Sequence, residues 1–348
     1  MGGGVGPGTS KSLTFTVRKN GSDTALKVVL TGTSQVDAQD LGNSFSVAAG
    51  DLISISSVPS GTPTVPSYVT FSMEYVGNTT AESLFVSGSG GNNLSNTAAE
   101  YFPISCVSTD AGNGTENLRS QIISAPGTIK NLYINLSAAP GSGKSRAFTL
   151  YVNGSATAVT QTISDTATTG NDTTHTAAVV AGDTISILHT PTGTPATANA
   201  HWGFSFVATT DGEFNLIATG GDPSVSTTQY ETAMAGEKSA GWFASEQWQM
   251  VQSMLIKNLY IKGNTAPGAA KSYTFTYRKN QANTGLTSSL SGAAQTTNSN
   301  TTNVVIYGDD DKISISSVPS GTPTSPATMR LAVTGVLMDQ GAMFFSSD

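Results

Sequence analysis

The stretch Ala138–Gly154 reads AAPGSGKSRAFTLYVNG. Its first half ends in Gly143-Lys144-Ser145, the close of a phosphate-binding loop. Its second half alternates Phe148, Leu150 and Val152 with polar residues and stops at Asn153-Gly154. A phosphate loop needs a strand before it and a helix after it, so that backbone N–H groups at a helix start cradle the phosphates. Period-two alternation followed by Asn-Gly instead predicts a strand entering a tight hairpin. The two halves therefore demand different folds.

The rest of the chain decides between them. Lys11-Ser12-Leu13-Thr14-Phe15 and Lys271-Ser272-Tyr273-Thr274-Phe275 answer Lys144-Ser145-Arg146-Ala147-Phe148. Their lysines lie 133 (144 − 11) and 127 (271 − 144) residues apart. Two further landmarks keep nearly the same period. One is Gly50-Asp51, Gly182-Asp183 and Gly308-Asp309; the other is Pro59–Pro63, Pro191–Pro195 and Pro319–Pro323. The strand-like Ile129–Ile134 returns as Ile256–Ile261, both reading IK-NLYI. Fixed periods of this kind mark repeated structural units. In the equivalents of the glycine-lysine pair, Pro-Gly and Lys-Ser persist while the glycine beside the lysine does not. The shared element is a turn joining two strands, and a nucleotide site is excluded.

The sequence accordingly predicts an all-β protein of three tandem antiparallel β-sandwich repeats, jelly-roll-like, over 1–91, 98–221 and 228–348. Within the second repeat, eight or nine strands are expected, near 100–105, 119–124, 128–136, 146–152, 157–164, 175–181, 184–190, 201–208 and 213–219. About eight short strands in such a span fit a two-sheet sandwich. The first repeat lacks its N-terminal strands: roughly 33 residues present in the others have no counterpart, including the Ile-Lys-Asn-Leu-Tyr-Ile strand. A sandwich missing those strands exposes an edge with unsatisfied backbone groups, which a strand of another chain could complete.

Composition narrows function. Charged residues are 11% and net charge is −7, with no basic stripe of the sort that neutralises phosphates, so no nucleic-acid partner is expected. The N-terminal MGGGVGPGTS has neither a basic nor an apolar segment, and no run of about 18 apolar residues occurs, so neither secretory signal nor membrane span is expected. The lone Cys106 forms no internal disulfide.

Candidate sites are few. His175, His189 and His201 all fall in the second repeat, where the anchors align them with Asn43, Ser57 and Val69 of the first. They belong to different strands and read as ordinary sheet or turn residues rather than a zinc site. Asp309-Asp310-Asp311 and Asp110–Glu116 are loosely calcium-like but lack a full loop pattern. Trp202, Trp242 and Trp248, with Tyr101 and Tyr230, are candidates for stacking on sugar rings or for filling a core. Gly50, Asp51, Gly182, Asp183, Gly308 and Asp309 read as turn landmarks. No nucleophile–base set or carboxylate pair recurs, so no catalytic residue, metal ligand or cofactor is assigned.

The phrases Ile-Lys-Asn-Leu-Tyr-Ile, Phe-Thr-Leu-Tyr-Val-Asn-Gly, Val-Ala-Gly-Asp-Thr-Ile-Ser-Ile and Pro-Thr-Gly-Thr-Pro together resemble a β-sandwich module of tailed-bacteriophage virion proteins. The resemblance covers the repeated parts of all three units; the shortened first repeat departs from it. It implies head decoration, fibre or appendage roles, with other copies or other virion proteins as partners, and location in a virion assembled in the host cytoplasm. A glycan-binding adhesin contacting a host surface glycan is the alternative expectation.

Overall fold

The computed structural model describes residues 2–66, 69–79, 81–106, 112–234, 242–338 and 342–347. Strands dominate, with a single short 3-10 turn at Glu116–Leu118 among the described residues. The first repeat holds β1 (Gly2–Gly3), β2 (Gly8–Lys19), β3 (Ser22–Gly32), β4 (Ile53–Ser60) and β5 (Val69–Tyr75). Next come β6 (Glu82–Gly88), β7 (Glu100–Phe102), β8 (Gln121–Ile122), β9 (Gly127–Leu136), β10 (Gly141–Val152) and β11 (Ser155–Asp165). The second repeat ends with β12 (Thr169–Val179), β13 (Thr184–Thr192) and β14 (Ala200–Ala208). The third has β15 (Glu213–Gly220), β16 (Gln229–Glu231), β17 (Gln249–Met250), β18 (Met254–Gly263) and β19 (Gly268–Lys279). It continues with β20 (Ala282–Gly292), β21 (Thr297–Tyr307), β22 (Lys312–Ser320) and β23 (Met329–Leu337), and β24 (Ala342–Ser347) follows. Each of the eight or nine places where a strand is expected in the second repeat holds one, β7 to β15.

The pairing defines the fold. In the second repeat one sheet runs β12-β9-β14-β6 and the other β11-β10-β13-β7, with β8 also on β13. The third repeats this as β21-β18-β23-β15 and β20-β19-β22-β16, with β17 on β22. Setting aside the two-residue β8 and β17, the main strands in chain order pair 1-8-3-6 and 2-7-4-5, the two interleaved sheets of a jelly roll. One core joins them: Ile129, Leu132 and Ile134 of β9 face Phe148 and Leu150 of β10 and Ile185 and Ile187 of β13 in a single cluster.

Sheet membership moves the repeat boundaries. Glu82–Gly88, placed by sequence period within 1–91, is strand one of the second jelly roll, paired with β14 from His201↔Gly88 to Val207↔Glu82. Glu213–Gly220, placed within 98–221, is strand one of the third and pairs with β23. The landmarks that set the period all lie downstream of this strand, and Ser83-Leu84-Phe85 against Phe214-Asn215-Leu216 offers little identity to anchor it. By contact density the chain divides into two compact units, Met1–Ser72 with Ser347–Asp348, and Met73–Ser346.

Within the larger unit the two complete jelly rolls share a junction. Asn215 Oδ1 accepts from Ser124 N, Ser124 Oγ and Ala125 N at 2.8, 3.0 and 2.8 Å. Buried Arg330 donates to Ser120 O at 2.8 Å, to Asn264 Oδ1 at 3.0 Å and to Asn117 O. Desolvation pulls its pKa down to about 10, and the full set of acceptors is what makes a buried guanidinium tolerable.

Among the described residues the first repeat shows the same jelly-roll pairing with fewer strands. Its sheets are β3-β2-β4 and β1-β5-β24, the orders 5-4-7 and 3-8-1. Among the described residues the place of strand three holds the pairs Gly2↔Thr70 and Gly3↔Val69, where β9 pairs β14 from Ala200↔Leu136 to Ala208↔Gly127. Strand six does not form over 38–52, and β4 has β2 as its one partner among the described strands. The buried cluster shrinks to Leu13, Phe15 and Leu30, with Val28, Ile55, Val69 and Phe71 packed against it.

The opening stretch resolves as a strand. Gly141–Val152 is continuous, and Gly143 marks a bulge with φ +70° before Lys144. Ser10 (φ +56°) and Ala270 (φ +58°) hold the same left-handed conformation at the equivalent places. The backbone shape persists although the glycine does not. The hairpin turn behaves alike: Asn20-Gly21 and Asn153-Gly154 have φ of +49°/+79° and +52°/+78°, and Asn280-Gln281 has +49°/+67°. Gln281 therefore bears strain that glycine avoids, of about 1 kcal/mol. Gln281→Gly is expected to stabilise the chain by about 0.5–1 kcal/mol, read as a higher urea midpoint with unchanged slope.

Candidate functional site

The side chains that recur at equivalent positions form a clasp beside the hairpin. Left-handed φ at the asparagine turns its side chain toward the loop that carries the landmark aspartate. Asn20, Asn153 and Asn280 donate Nδ2 to Asp51, Asp183 and Asp311 at 2.6, 2.7 and 2.6 Å. Each Oδ1 accepts a backbone N–H, from Leu52, Thr184 and Lys312, at 2.8 to 2.9 Å. The aspartates close their own turns by accepting N–H from Ala48, Val180 and Gly308. Lys19 and Lys279 add ion pairs at 2.9 and 2.7 Å.

This geometry corrects one landmark. The counterpart of Asp51 and Asp183 is Asp311, not Asp309: Ala48/Asp51, Val180/Asp183 and Gly308/Asp311 close the same four-residue turn, and each aspartate stands eight residues before Pro59, Pro191 and Pro319. Left-handed Gly50 and Gly182 correspond to Asp310 (φ +67°), and Gly308 is not left-handed. Asp309 instead accepts from Ser253 N at 2.8 Å. The three consecutive aspartates thus serve three different places in a turn. Among the described residues no cluster of His, Cys, Asp or Glu could hold a metal ion. Asp110 lies outside the described residues; Asn113 Oδ1 accepts from Thr115 N at 2.8 Å.

The histidines do not converge. His189 is fully buried, 3.0 Å by Nε2 from Arg146 Nη1, with Nδ1 3.3 Å from Glu100 Oε1. Burial lowers its pKa, more than the Glu100 contact raises it. Arg146 also donates to Ser95 O, Asn96 Oδ1 and Ala196 O. The corresponding positions of the third repeat are Tyr273, Ser317 and Gln229, so this set is a buried polar cluster particular to the second repeat. His175 lies on a shallow polar surface depression with Thr160, Gln161 and Asn171. Its Nδ1 stands 3.0 Å from Asp172 Oδ2. Asp172 caps the strand-six bulge by accepting N–H from Thr160, Thr174 and His175; Asp40 and Asn300 bond equivalent loops. His201 is exposed on β14 and pairs with Asn135. By register its counterpart is Thr70, one residue beyond Val69.

The three tryptophans are core side chains. Trp202 is 3% exposed, edge-on to Phe102 at 5.4 Å. Trp242 packs on Phe275 at 5.7 Å, and Trp248 lies under Lys312 Nζ at 3.8 Å with 9% exposed. No two share a surface, and none offers a free face to a sugar. Tyr101 meets Tyr151 edge-on at 5.5 Å, and Arg278 covers Tyr230 at 5.2 Å. Burial lifts the Cys106 thiol to about 11, which leaves it protonated and a poor nucleophile at neutral pH.

What sequence reasoning located only in outline is the bare edge of the first repeat. Ile53 is 43% exposed where Ile185 and Ile313 are fully buried. Val58, further along β4, faces outward as its counterpart Val318 does, 56% and 40% exposed.

No family model matches this chain, and no curated protein does. Among solved structures, a Paenibacillus xanthan lyase is similar over 83% of this chain and 28% of its own length, at 15% identity and a TM-score of 0.22. The chain thus spans about a quarter of that protein's length, and a likeness at that score carries no inference about activity.

The clasp gives a pH dependence. Hydrogen bonds from Ala48 N–H, Lys19 and Asn20 lower Asp51 from 3.8 to about 2. A lowered folded pKa contributes stability that is complete above the unfolded value and disappears as pH falls through the folded one. The unfolding midpoint is therefore expected to fall between about pH 4 and pH 2, and Asp51→Asn to flatten that fall for the first repeat, followed by thermal melts across pH.

Proposed function

We propose that the chain is a non-catalytic structural protein of a virion exterior, a capsid decoration or fibre-like component. It acts by self-association and by docking to a capsid or tail lattice after synthesis in the host cytoplasm. The observation that carries this reading is β4. It is an eight-residue strand at the edge of its sheet among the described strands, with Ile53 exposed where Ile185 and Ile313 are buried. A sheet edge with unpaired N–H and C=O groups recruits further strands, and Pro59 near the end of β4 leaves the pairing to its earlier residues. The recurring polar residues support the same reading, because clasp and bulge asparagines and aspartates are spent on internal turns. The resemblance of the repeated phrases to phage virion modules supplies the setting.

Mass photometry of the purified chain tests it. A discrete oligomer is expected, and Ile53→Lys, which puts a charge at the exposed start of the edge strand, is expected to shift the population to monomer. A chain that stays monomeric at micromolar concentration overturns the reading.

A further inference from the structure

We propose that the second repeat carries a latch released by acid. Protonation of His189 breaks the hold of Arg146 on two connections, 89–99 between β6 and β7 and 193–199 between β13 and β14. The latch stands apart from the virion reading, since it needs no other chain.

The geometry fixes the resting state. Arg146 and His189 are both fully buried. A guanidinium has donors only, so His189 Nε2, 3.0 Å from Arg146 Nη1, meets it as a lone pair, and the ring is neutral. A proton on Nε2 would set N–H against N–H and bring two positive charges together in a buried site. The groups around the ring do not relieve this. Phe148 of β10 lies against it at 5.1 Å. Glu100 of β7, its cross-strand partner, stands 3.3 Å from the other ring nitrogen, Nδ1. Among the described residues, the charged groups that act on the ring are Arg146 and Glu100. Burial outweighs the help of Glu100, so the ring resists protonation until the pH is below the ordinary histidine value of 6.5.

Arg146 is what ties the two connections. Its Nη1 donates to Ser95 O at 2.9 Å, and its Nη2 donates to Asn96 Oδ1 and Ala196 O at 2.7 and 2.8 Å. The tied segments also hold each other: Leu94 N donates to Ala198 O at 2.8 Å, and both residues are buried. Displacing Arg146 therefore loosens both segments at once and uncovers Leu94. The third repeat fastens the same place without a histidine. Gln229 accepts from Ser224 N as Glu100 accepts from Ser95 N. Tyr273 OH donates to Pro223 O at 3.4 Å, and Ser317 stands opposite Phe275 as His189 stands opposite Phe148. The third repeat is thus a built-in control for the second. Because burial lowers the pKa of the folded ring, its contribution to stability is complete above the unfolded value and is lost as pH falls through the folded one.

Two measurements on the full chain test the latch between about pH 8 and about pH 4. Proton NMR follows the three imidazoles, and hydrogen exchange, corrected for the intrinsic rate at each pH, follows the two connections. His189 is expected to titrate below about pH 6.5. With the same midpoint, the amides of 92–98 and 196–198 are expected to lose at least about tenfold in protection. The counterpart segment 224–228 of the third repeat is expected to keep its protection. Glu100→Gln removes the carboxylate that favours the charged ring, and is expected to move both midpoints together to lower pH. His189→Gln stays neutral, and is expected to abolish the loss. A loss that persists in His189→Gln overturns the proposal, as does a His189 that titrates while 92–98 stays protected or that never titrates in this range. If His189→Gln does not fold, Glu100→Gln decides: midpoints that move together support the latch, and midpoints that part overturn it.

Discussion

Strand three is the constraint on which each sandwich depends. It is an inner strand of the 1-8-3-6 sheet, so it satisfies the backbone of two neighbours at once. It also carries an apolar row across the core: Ile129, Leu132, Ile134 and Leu136 are all buried. At about 1.5–3 kcal/mol for each such side chain, the gross burial is on the order of 6–12 kcal/mol before entropy is charged against it. The first repeat, with two glycines in that place, shows the consequence. Strand six fails to form, Val47 and Ile53 meet solvent, and the buried cluster contracts to three residues.

The hairpin and its clasp are by contrast indifferent to that loss. Asn20, Asn153 and Asn280 make the same bonds in the truncated repeat as in the complete ones. They join strands four, five and seven through local turns, and none of those contacts passes through strand three. Local turn chemistry and sandwich completion are thus separable layers. The first sets the register of one sheet; the second decides whether that sheet has a partner to bury against.

Much of this was legible in the residues. Asn153-Gly154 after alternating Phe148, Leu150 and Val152 specified a hairpin, and the repeat of Lys144-Ser145 removed the nucleotide reading. Strand positions followed from period-two patterns. The repeat boundaries did not, because Glu82–Gly88 and Glu213–Gly220 share a place in the sheet without sharing residues. Asp309 follows Gly308 as Asp51 follows Gly50 and Asp183 follows Gly182, and this local Gly-Asp match hides the true counterpart Asp311, which keeps the 128-residue spacing of Pro191 and Pro319 and makes the clasp bonds. Trp202, Trp242 and Trp248 were ambiguous by nature: an aromatic ring suits a core and a sugar platform equally until its burial is known.

Hydrogen exchange on the intact chain tests the role of strand three most directly. The amides of 38–53 are predicted to exchange far faster than those of Thr169–Val179 and Thr297–Tyr307, while β2 and β3, held by the hairpin and clasp, stay protected. Equal protection of all three regions would contradict the account, because strand six would then be stable without the strand on which it is built.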